Sequence, residues 1–136
     1  MGKKKFLRKD ENAQPLVPPT TYADYKPVFS FEYLDERSLA NPKQNSSLYK
    51  DLLVRLKKLS ELGWREIYKT QRHGFGVEKI PIKQFKPKMP STITPEMEDL
   101  MVFRADGMNH VFAGFKREKV FFIVFIESDF GNLYNH

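Results

Sequence analysis

The run Val120-Phe121-Phe122-Ile123-Val124-Phe125-Ile126 limits the fold more than any other stretch of this chain. Each of its residues is apolar and either β-branched or aromatic, which favours a strand over a helix. The run is also too short to cross a membrane as a helix. A short, uninterrupted apolar run is typical of a strand that is buried on both faces. The sequence therefore predicts that residues 120–126 lie in the middle of a sheet.

Two more strands are predicted immediately before this run. Val111 to Phe115 is apolar, and the charged residues Lys116 to Lys119 form the predicted hairpin loop between it and the run. Leu100 to Ala105 precedes both, and Asp106-Gly107 supplies a tight turn. The C-terminal part of the chain is therefore predicted to form an antiparallel β-meander.

One strand and a pair of helices are predicted upstream of the meander. Val28 to Leu34 alternates apolar and polar residues, as a half-buried strand does. The first predicted helix carries leucines on one face, namely Leu48, Leu52, Leu56, Leu59 and Leu62. Gly63 ends that helix, and Trp64 to Lys69 is predicted as a short second helix. Val77 to Phe85 is rich in β-forming residues but contains Pro81, which predicts an edge strand.

This order of elements predicts an α+β fold with an N-terminal strand and a helical pair that packs on one face of the C-terminal antiparallel β-meander. A chain of 136 residues accommodates one domain of this kind, predicted here for residues 28–136. Residues 1–27 have a basic start and several prolines, a composition that cannot bury enough apolar surface to fold alone. They are predicted to form a flexible arm.

The net charge of +6 at pH 7 favours polyanionic partners such as RNA, DNA or an acidic protein. The positive charge is concentrated in residues 1–11 and 63–90. Cysteine is absent, which excludes disulfides, thiolate metal sites and cysteine nucleophiles. The basic N-terminus is not followed by an apolar signal segment, so we expect a cytoplasmic protein that does not bind a membrane.

The basic segment 63–90 is the predicted nucleic-acid-binding region. Its basic residues are Arg65, Lys69, Arg72, Lys79, Lys83, Lys86 and Lys88. Aromatic side chains lie between them, namely Trp64, Tyr68, His73, Phe75 and Phe85. Lysine and arginine contact phosphates, and aromatic rings stack on the bases of single-stranded RNA. The alternation therefore favours RNA as the partner.

Cleavage of RNA without a metal requires a base, an acid and cations that stabilise the charged phosphorane. Histidine and tyrosine side chains transfer protons, and arginines supply the positive charge. The candidate catalytic residues are His73, Arg104, Arg117, Tyr134 and His136, with Arg72 and His110 as further possibilities. A metal site built from His110, Glu127, Asp129 and His136 matches no zinc or calcium spacing, so no metal or other cofactor is expected.

The element order and basic charge of residues 28–136 resemble the RelE/ParE-type toxin superfamily, small basic proteins that include ribosome-dependent mRNA endonucleases. The resemblance implies a metal-independent endoribonuclease in a toxin–antitoxin system, with RNA or the ribosome and an acidic antitoxin-like protein as partners. It also implies that basic side chains hold the scissile phosphate while a residue near the C-terminus, often tyrosine, acts on the ribose hydroxyl.

By position, Tyr134 matches the terminal aromatic residue of that superfamily, and either Arg104 or Arg117 matches its meander arginine. The chain departs from the pattern at Glu127-Ser128-Asp129, where a second arginine commonly precedes the aromatic residue. The stretch from Gly114 to His136 is also similar to the C-terminal ends of small uncharacterised bacterial and phage proteins, a similarity that implies no function.

The alternative function is a non-catalytic interaction or inhibitor protein. Such a protein would bind a protein partner through the N-terminal arm, or through the edge strand at Val77 to Phe85 by strand addition. The sequence leaves the target and the oligomeric state open.

Overall fold

The computed structural model describes residues 22–39, 46–70 and 77–136. Within these residues the chain forms a five-stranded mixed sheet and two α-helices. The elements are β1 (Val28–Ser30), α1 (Ser46–Ser60), α2 (Trp64–Lys69), β2 (Glu78–Pro81), β3 (Asp99–Arg104), β4 (Val111–Arg117) and β5 (Val120–Ile126). The predicted α+β class is confirmed, while residues 1–21 of the predicted arm and the segment 71–76 lie outside the described residues.

The sheet has the strand order β1-β5-β4-β3-β2, so the apolar run of β5 lies inside it. The β1 strand pairs with β5 in parallel, and β2 through β5 pair as antiparallel neighbours. Both edge strands are shorter than predicted. Downstream of β1, Asp35 donates its backbone N–H to the Val124 carbonyl at 2.8 Å, so a turn replaces the rest of the strand. A 3-10 turn, Ile82–Gln84, follows Pro81 and ends β2.

The hairpin between β4 and β5 is tighter than predicted, because Lys116 and Arg117 belong to β4. Only Glu118 and Lys119 form the turn, and Glu118 takes a left-handed backbone with φ of 55°. The sequence Lys-Arg-Glu-Lys indicated a loop because it is charged. Lys116 nevertheless fits in a strand, since its long side chain places the ammonium 5.1 Å from the centre of the Trp64 ring.

One face of the sheet packs against the helices. Buried leucines of α1 and the α2 residues Trp64 and Ile67 cover Phe103, Phe112 and Phe121. The Phe103 and Phe112 rings are stacked with centres 5.2 Å apart, and Phe121 meets Phe103 edge-on at 5.1 Å. Residues 22–27, which the sequence assigned to the arm, continue this layer, because Trp64 donates its backbone N–H to the Tyr25 carbonyl at 3.0 Å.

The opposite face of the sheet is covered by loops and by the segment that follows β5. Phe85, Ile93, Leu133 and Tyr134 pack there against inner strand residues such as Val124. Lys86 donates its backbone N–H to the Leu133 carbonyl at 2.7 Å, which ties the segment after β2 to the C-terminal segment. This second layer holds most of the polar side chains described in the next subsection.

A β-bulge interrupts the pairing of β4 with β5. Ala113 lies opposite Phe125, whereas the next residue, Gly114, lies opposite Ile123. The extra residue is Val124, which packs on the loop-covered face, as does Phe125. A Cβ atom at Gly114 would overlap the Phe122 carbonyl, so glycine is required for this close approach of the two backbones.

Candidate functional site

A cleft of about 230 Å³ opens on the loop-covered face, between the end of the β2-β3 pair and the last residues of the chain. Its polar lining residues include Glu78, Gln84, Arg104, Asn109, Tyr134 and His136. Glu78 lies opposite Val102 in the β2-β3 register, and Arg104 is two residues beyond Val102. Because strand side chains alternate between faces, Glu78 and Arg104 project from the same face of the sheet.

His136 is held on three sides. Its Nε2 lies 2.8 Å from a carboxylate oxygen of Glu127. Its ring centre lies 4.2 Å from that of Phe130 and 4.5 Å from that of Tyr134. The Tyr134 ring is nearly parallel to the imidazole, at 13°, whereas the Phe130 ring is tilted by 32°. The orientation of His136 is therefore fixed by one hydrogen bond and two ring contacts.

Glu127, which holds His136, is completely buried, with 0% of its surface exposed. Its carboxylate accepts backbone hydrogen bonds from Val111 at 3.1 Å and from Gly131 at 2.9 Å. A buried carboxylate is stable only when donors surround it, and here strand β4, the C-terminal turn and His136 each supply one. Glu127 thus joins the sheet to the terminal segment.

Arg104 ends β3 and donates a hydrogen bond to the Asn109 side-chain oxygen within the turn that follows. Arg55 of α1 lies near Arg104 but lines a separate hollow, together with Asp51 and Asp106. Burial, and secondly the charge of Arg104, lower the pKa of the Arg55 guanidinium, while Asp106 acts in the opposite direction.

A second carboxylate–imidazole pair, Asp106 with His110, closes the turn between β3 and β4. Asp106 accepts backbone hydrogen bonds from Met108 at 2.9 Å and His110 at 3.1 Å, and its other oxygen lies 2.8 Å from His110 Nδ1. The described lining of the cleft includes neither residue. His110, one of the sequence-predicted proton-transfer candidates, therefore serves the turn.

The structure brings three of the predicted catalytic residues, Arg104, Tyr134 and His136, into the same cleft. It does not bring Arg117 there. Arg104 lies opposite Val111 at the start of β4, whereas Arg117 is at the end of that strand, about 20 Å away at 3.3 Å per residue. His73 lies outside the described residues.

The predicted nucleic-acid-binding residues are divided between the faces of the molecule. Lys86 and Lys88 lie beside the C-terminal segment: Lys86 Nζ donates to the Gly131 carbonyl at 2.7 Å, and Lys88 lines a groove with Asn132. Lys83 is exposed in the turn just before them.

The other basic residues lie towards the helices. Arg65 and Lys69 are on α2, where Arg65 forms a salt bridge with Asp24 at 3.0 Å. Lys79 lies opposite Met101, a residue of the helix-side core. Arg72 is outside the described residues. Of the predicted binding residues that the structure describes, Lys83, Lys86 and Lys88 are therefore the ones on the side of the C-terminal segment.

Two of the predicted base-stacking aromatic residues are part of the core, and this prediction was wrong. Trp64 is completely buried, and its indole N–H donates to the Lys119 carbonyl at 3.0 Å. Phe85 packs against Phe125 and Tyr134. Tyr68 is half exposed on the helix side, and burial raises the pKa of its hydroxyl. His73 and Phe75 lie outside the described residues.

Three residues of the site were not singled out from the sequence. Glu78 and Phe130 were given no role, and Glu127 was considered only as a metal ligand. The available signal for Glu127 was its place immediately after a fully buried strand, where an acidic residue must be exposed or surrounded by donors. Glu78 gave no comparable signal, because acidic residues on edge strands are commonly solvated.

Among the described residues, no group of three or more histidine, aspartate or glutamate side chains is arranged to hold a metal ion. The helices of the described part are all too short or too polar to cross a membrane. Comparison of the chain with protein-family models, curated proteins and solved structures finds no match.

Proposed function

We propose that this protein binds single-stranded RNA and cleaves it in the cleft without a metal ion. The observation that carries the proposal is the gathering of a carboxylate, a guanidinium and an imidazole around one cleft, from Glu78, Arg104 and His136. Cleavage of a phosphodiester by its own ribose hydroxyl needs a base, an acid and a cation, which these three groups supply.

The proposed reaction is an internal transfer. The Glu78 carboxylate takes the proton from the ribose 2′-hydroxyl, and the 2′ oxygen attacks the neighbouring phosphorus. Arg104 neutralises the charge on the nonbridging oxygens of the phosphorane. His136 gives a proton to the departing 5′ oxygen. The products are a 2′,3′-cyclic phosphate on one fragment and a 5′-hydroxyl on the other, so atoms and charge balance.

The surroundings of His136 suit it to this role. Because Glu127 holds Nε2, proton transfer to the leaving oxygen takes place at Nδ1. The adjacent rings of Phe130 and Tyr134 restrict the imidazole to one orientation. Preorganisation of this kind lowers the entropic cost of reaching the transition state. Tyr134, at 5% exposure, acts as a positioning residue for His136.

The RelE/ParE-like order of elements supports the same proposal and extends it. The terminal aromatic residue, Tyr134, and an arginine of the meander line one cleft, and that arginine is Arg104. On this reading the substrate is mRNA, on or off the ribosome, the protein works in the cytoplasm, and an acidic antitoxin-like protein neutralises it. The alternative, strand addition at β2, is less favoured because the edge is four residues long and ends in Pro81.

The test is incubation of the purified protein with labelled single-stranded RNA in the presence of EDTA. We expect cleavage that leaves 2′,3′-cyclic phosphate ends. Glu78→Gln, Arg104→Ala and His136→Gln should each slow it by roughly 10²-fold or more. Arg117→Ala is the matched control, because it removes an exposed arginine of the same meander at the far end of β4, and it should change the rate less than about threefold.

Intact RNA after prolonged incubation, or linear 5′-phosphate products, would exclude the proposed chemistry. Glu78→Gln protein purified in parallel identifies any contaminating nuclease, since contamination is equal in the two preparations. RNA binding with no cleavage, or a stoichiometric protein complex without RNA affinity at low salt, would instead support the non-catalytic function.

A further inference from the structure

Three rings form a column beside the cleft. Tyr134 is at the buried end with 5% of its surface exposed, His136 is in the middle, and Phe130 is at the outer end with 56% exposed. One face of Phe130 covers the imidazole. Among the described residues His136 is the only ring in contact with Phe130, so the outer face of the phenyl ring ends the column.

The surroundings of Phe130 favour a negatively charged ligand that carries flat rings. Lys86 places its ammonium 2.7 Å from the carbonyl of Gly131, the residue after Phe130. Lys88 lines a groove beside Asn132, on the same turn, and Arg37 lines it too but is paired with Asp35 at 2.6 Å. His136, the neighbour of Phe130 in the column, lines the cleft that also contains Arg104. An open aromatic face with cationic side chains near it is the combination that single-stranded nucleic acids require.

We propose that Phe130 is a base-stacking subsite, which receives the nucleobase next to the scissile phosphate of a single-stranded RNA. This inference rests on the proposed function and specifies its substrate. The base extends the ring column by one member while its phosphate lies at Arg104. The neighbouring phosphate on the other side lies against Lys86 and Lys88.

Two properties of the substrate follow from a stacking subsite. A base must leave its own helix to stack on Phe130, so double-stranded RNA is a poor ligand. Every base has a flat face, so the subsite tolerates all four bases, with a modest preference for purines because of their larger overlap. The selectivity of the protein is then for strandedness more than for sequence.

Phe130→Trp provides a direct optical test. The native Trp64 is completely buried, so the introduced indole is the tryptophan that meets ligand. The probe is a 2′-O-methylated single-stranded oligonucleotide, which cannot be cleaved because its 2′ oxygen has no proton. We expect the exposed indole emission to be quenched as the oligonucleotide binds, and inorganic phosphate to leave it unchanged. No quenching at concentrations that saturate binding by fluorescence anisotropy would overturn the subsite.

Phe130→Ala provides the matching energetic test. It should raise the Kd for the same oligonucleotide by about 5- to 150-fold, the range measured when a stacked base loses its aromatic partner. Phe130→Tyr should bind within about twofold of the native protein. Phe31→Ala is the control, because it removes an exposed phenylalanine, 48% accessible, near β1 and away from the cleft.

An abasic oligonucleotide separates stacking from a merely structural role of Phe130. If the base stacks on the ring, native protein and Phe130→Ala should bind an oligonucleotide that lacks the contacted base with equal affinity. A loss that persists with the abasic ligand would show that Phe130 only supports His136. If Phe130→Ala still cleaves RNA with an unchanged KM, the stacking subsite is wrong but the proposed function stands. If the native protein does not bind RNA at all, both proposals are wrong.

Discussion

The two carboxylate–imidazole pairs of this protein have nearly the same contacts but different settings. In each, a carboxylate oxygen lies 2.8 Å from a histidine nitrogen, and the carboxylate also accepts two backbone N–H groups. The Asp106–His110 pair lies within one turn, and its imidazole is 13% exposed and its carboxylate 3% exposed. The Glu127–His136 pair connects β4 to the terminal segment, and its imidazole lies between two aromatic rings at the cleft. Equal hydrogen bonding therefore does not imply equal function.

The two pairs differ in whether water can replace the carboxylate as the hydrogen-bond acceptor. If Asp106 is removed, water can reach the partly buried backbone donors of Met108 and His110, because they border the exposed residues Gly107 and Asn109. If Glu127 is removed, the Val111 N–H remains inside the sheet with no partner in the same place. The Asp106–His110 pair thus only closes a turn, whereas the Glu127–His136 pair supports both the fold and the site.

The largest expected effect is on stability. Glu127→Ala should lower the free energy of unfolding by about 3–5 kcal/mol, because it leaves buried donors unpaired and opens a cavity. Asp106→Ala should cost less, about 1–2 kcal/mol, since its backbone donors are only partly buried and border exposed turn residues. Urea titrations followed by circular dichroism measure both values. Equal losses would mean that the two pairs are energetically equivalent, and the comparison would then fail.

The next effect concerns activity. His136→Gln should reduce RNA cleavage by roughly 10²-fold or more, as loss of a general acid does, whereas His110→Gln should keep at least a third of the native rate. Glutamine retains an N–H that can reach the carboxylate in each case. Thermal unfolding of both variants distinguishes lost chemistry from lost structure. A similar decrease in the two variants would assign no special role to His136.

A smaller effect tests the two turns themselves. Each contains a residue with a left-handed backbone, Gly131 with φ of 88° and Asn109 with φ of 71°. A Cβ at Gly131 would meet no atom within 4 Å, so Gly131→Ala tests backbone strain alone and should cost about 1 kcal/mol. Asn109→Gly, which relaxes the same strain in the other turn, should change the free energy of unfolding by under about 0.5 kcal/mol if Arg104 finds a water partner.

The two imidazoles should also differ in tautomer, which an NMR spectrum of the native protein detects. Asp106 contacts Nδ1 of His110, whereas Glu127 contacts Nε2 of His136. When each imidazole is neutral, the contacted nitrogen should carry the proton, because an ionised carboxylate only accepts hydrogen bonds. Long-range ¹H–¹⁵N correlation spectra identify the protonated nitrogen. The same tautomer in both histidines would contradict the geometry of one pair.

The sequence predicts the elements of this fold better than it predicts their ends. Residues 120–126 were predicted as an internal strand, and Trp64 to Lys69 as a short helix, with the bounds that β5 and α2 have in the structure. Both predictions depend on local patterns, which are strong when a run is uniformly apolar or follows a glycine. The strands at the edges were predicted too long, because their lengths depend on distant contacts such as Asp35 with Val124.

The candidate site is predictable only in part, and the reason is physical. Arg104, Tyr134 and His136 were selected for their chemistry, and the return of the chain after β5 brings them together. Glu78 and Glu127 were not selected as site residues, because a charged residue is normally solvated and the sequence contains no sign of distant donors. Burial of Glu127 depends on Val111 and His136, which come together only once the sheet has formed.

The bulge at Val124 determines on which side of the sheet the site exists. Side chains alternate along a regular strand, so odd-numbered residues lie on one side of the sheet and even-numbered residues on the other. Phe121 and Ile123 point to the helices, so an unbroken strand would send Glu127 there too. The extra residue shifts this alternation by one position, so Glu127 lies beside Val111 on the opposite side of the sheet. The same residues paired without the bulge would keep the aromatic core pattern up to Ile123 but would direct the Glu127 carboxylate towards the helices, so the site depends on this one irregularity of pairing.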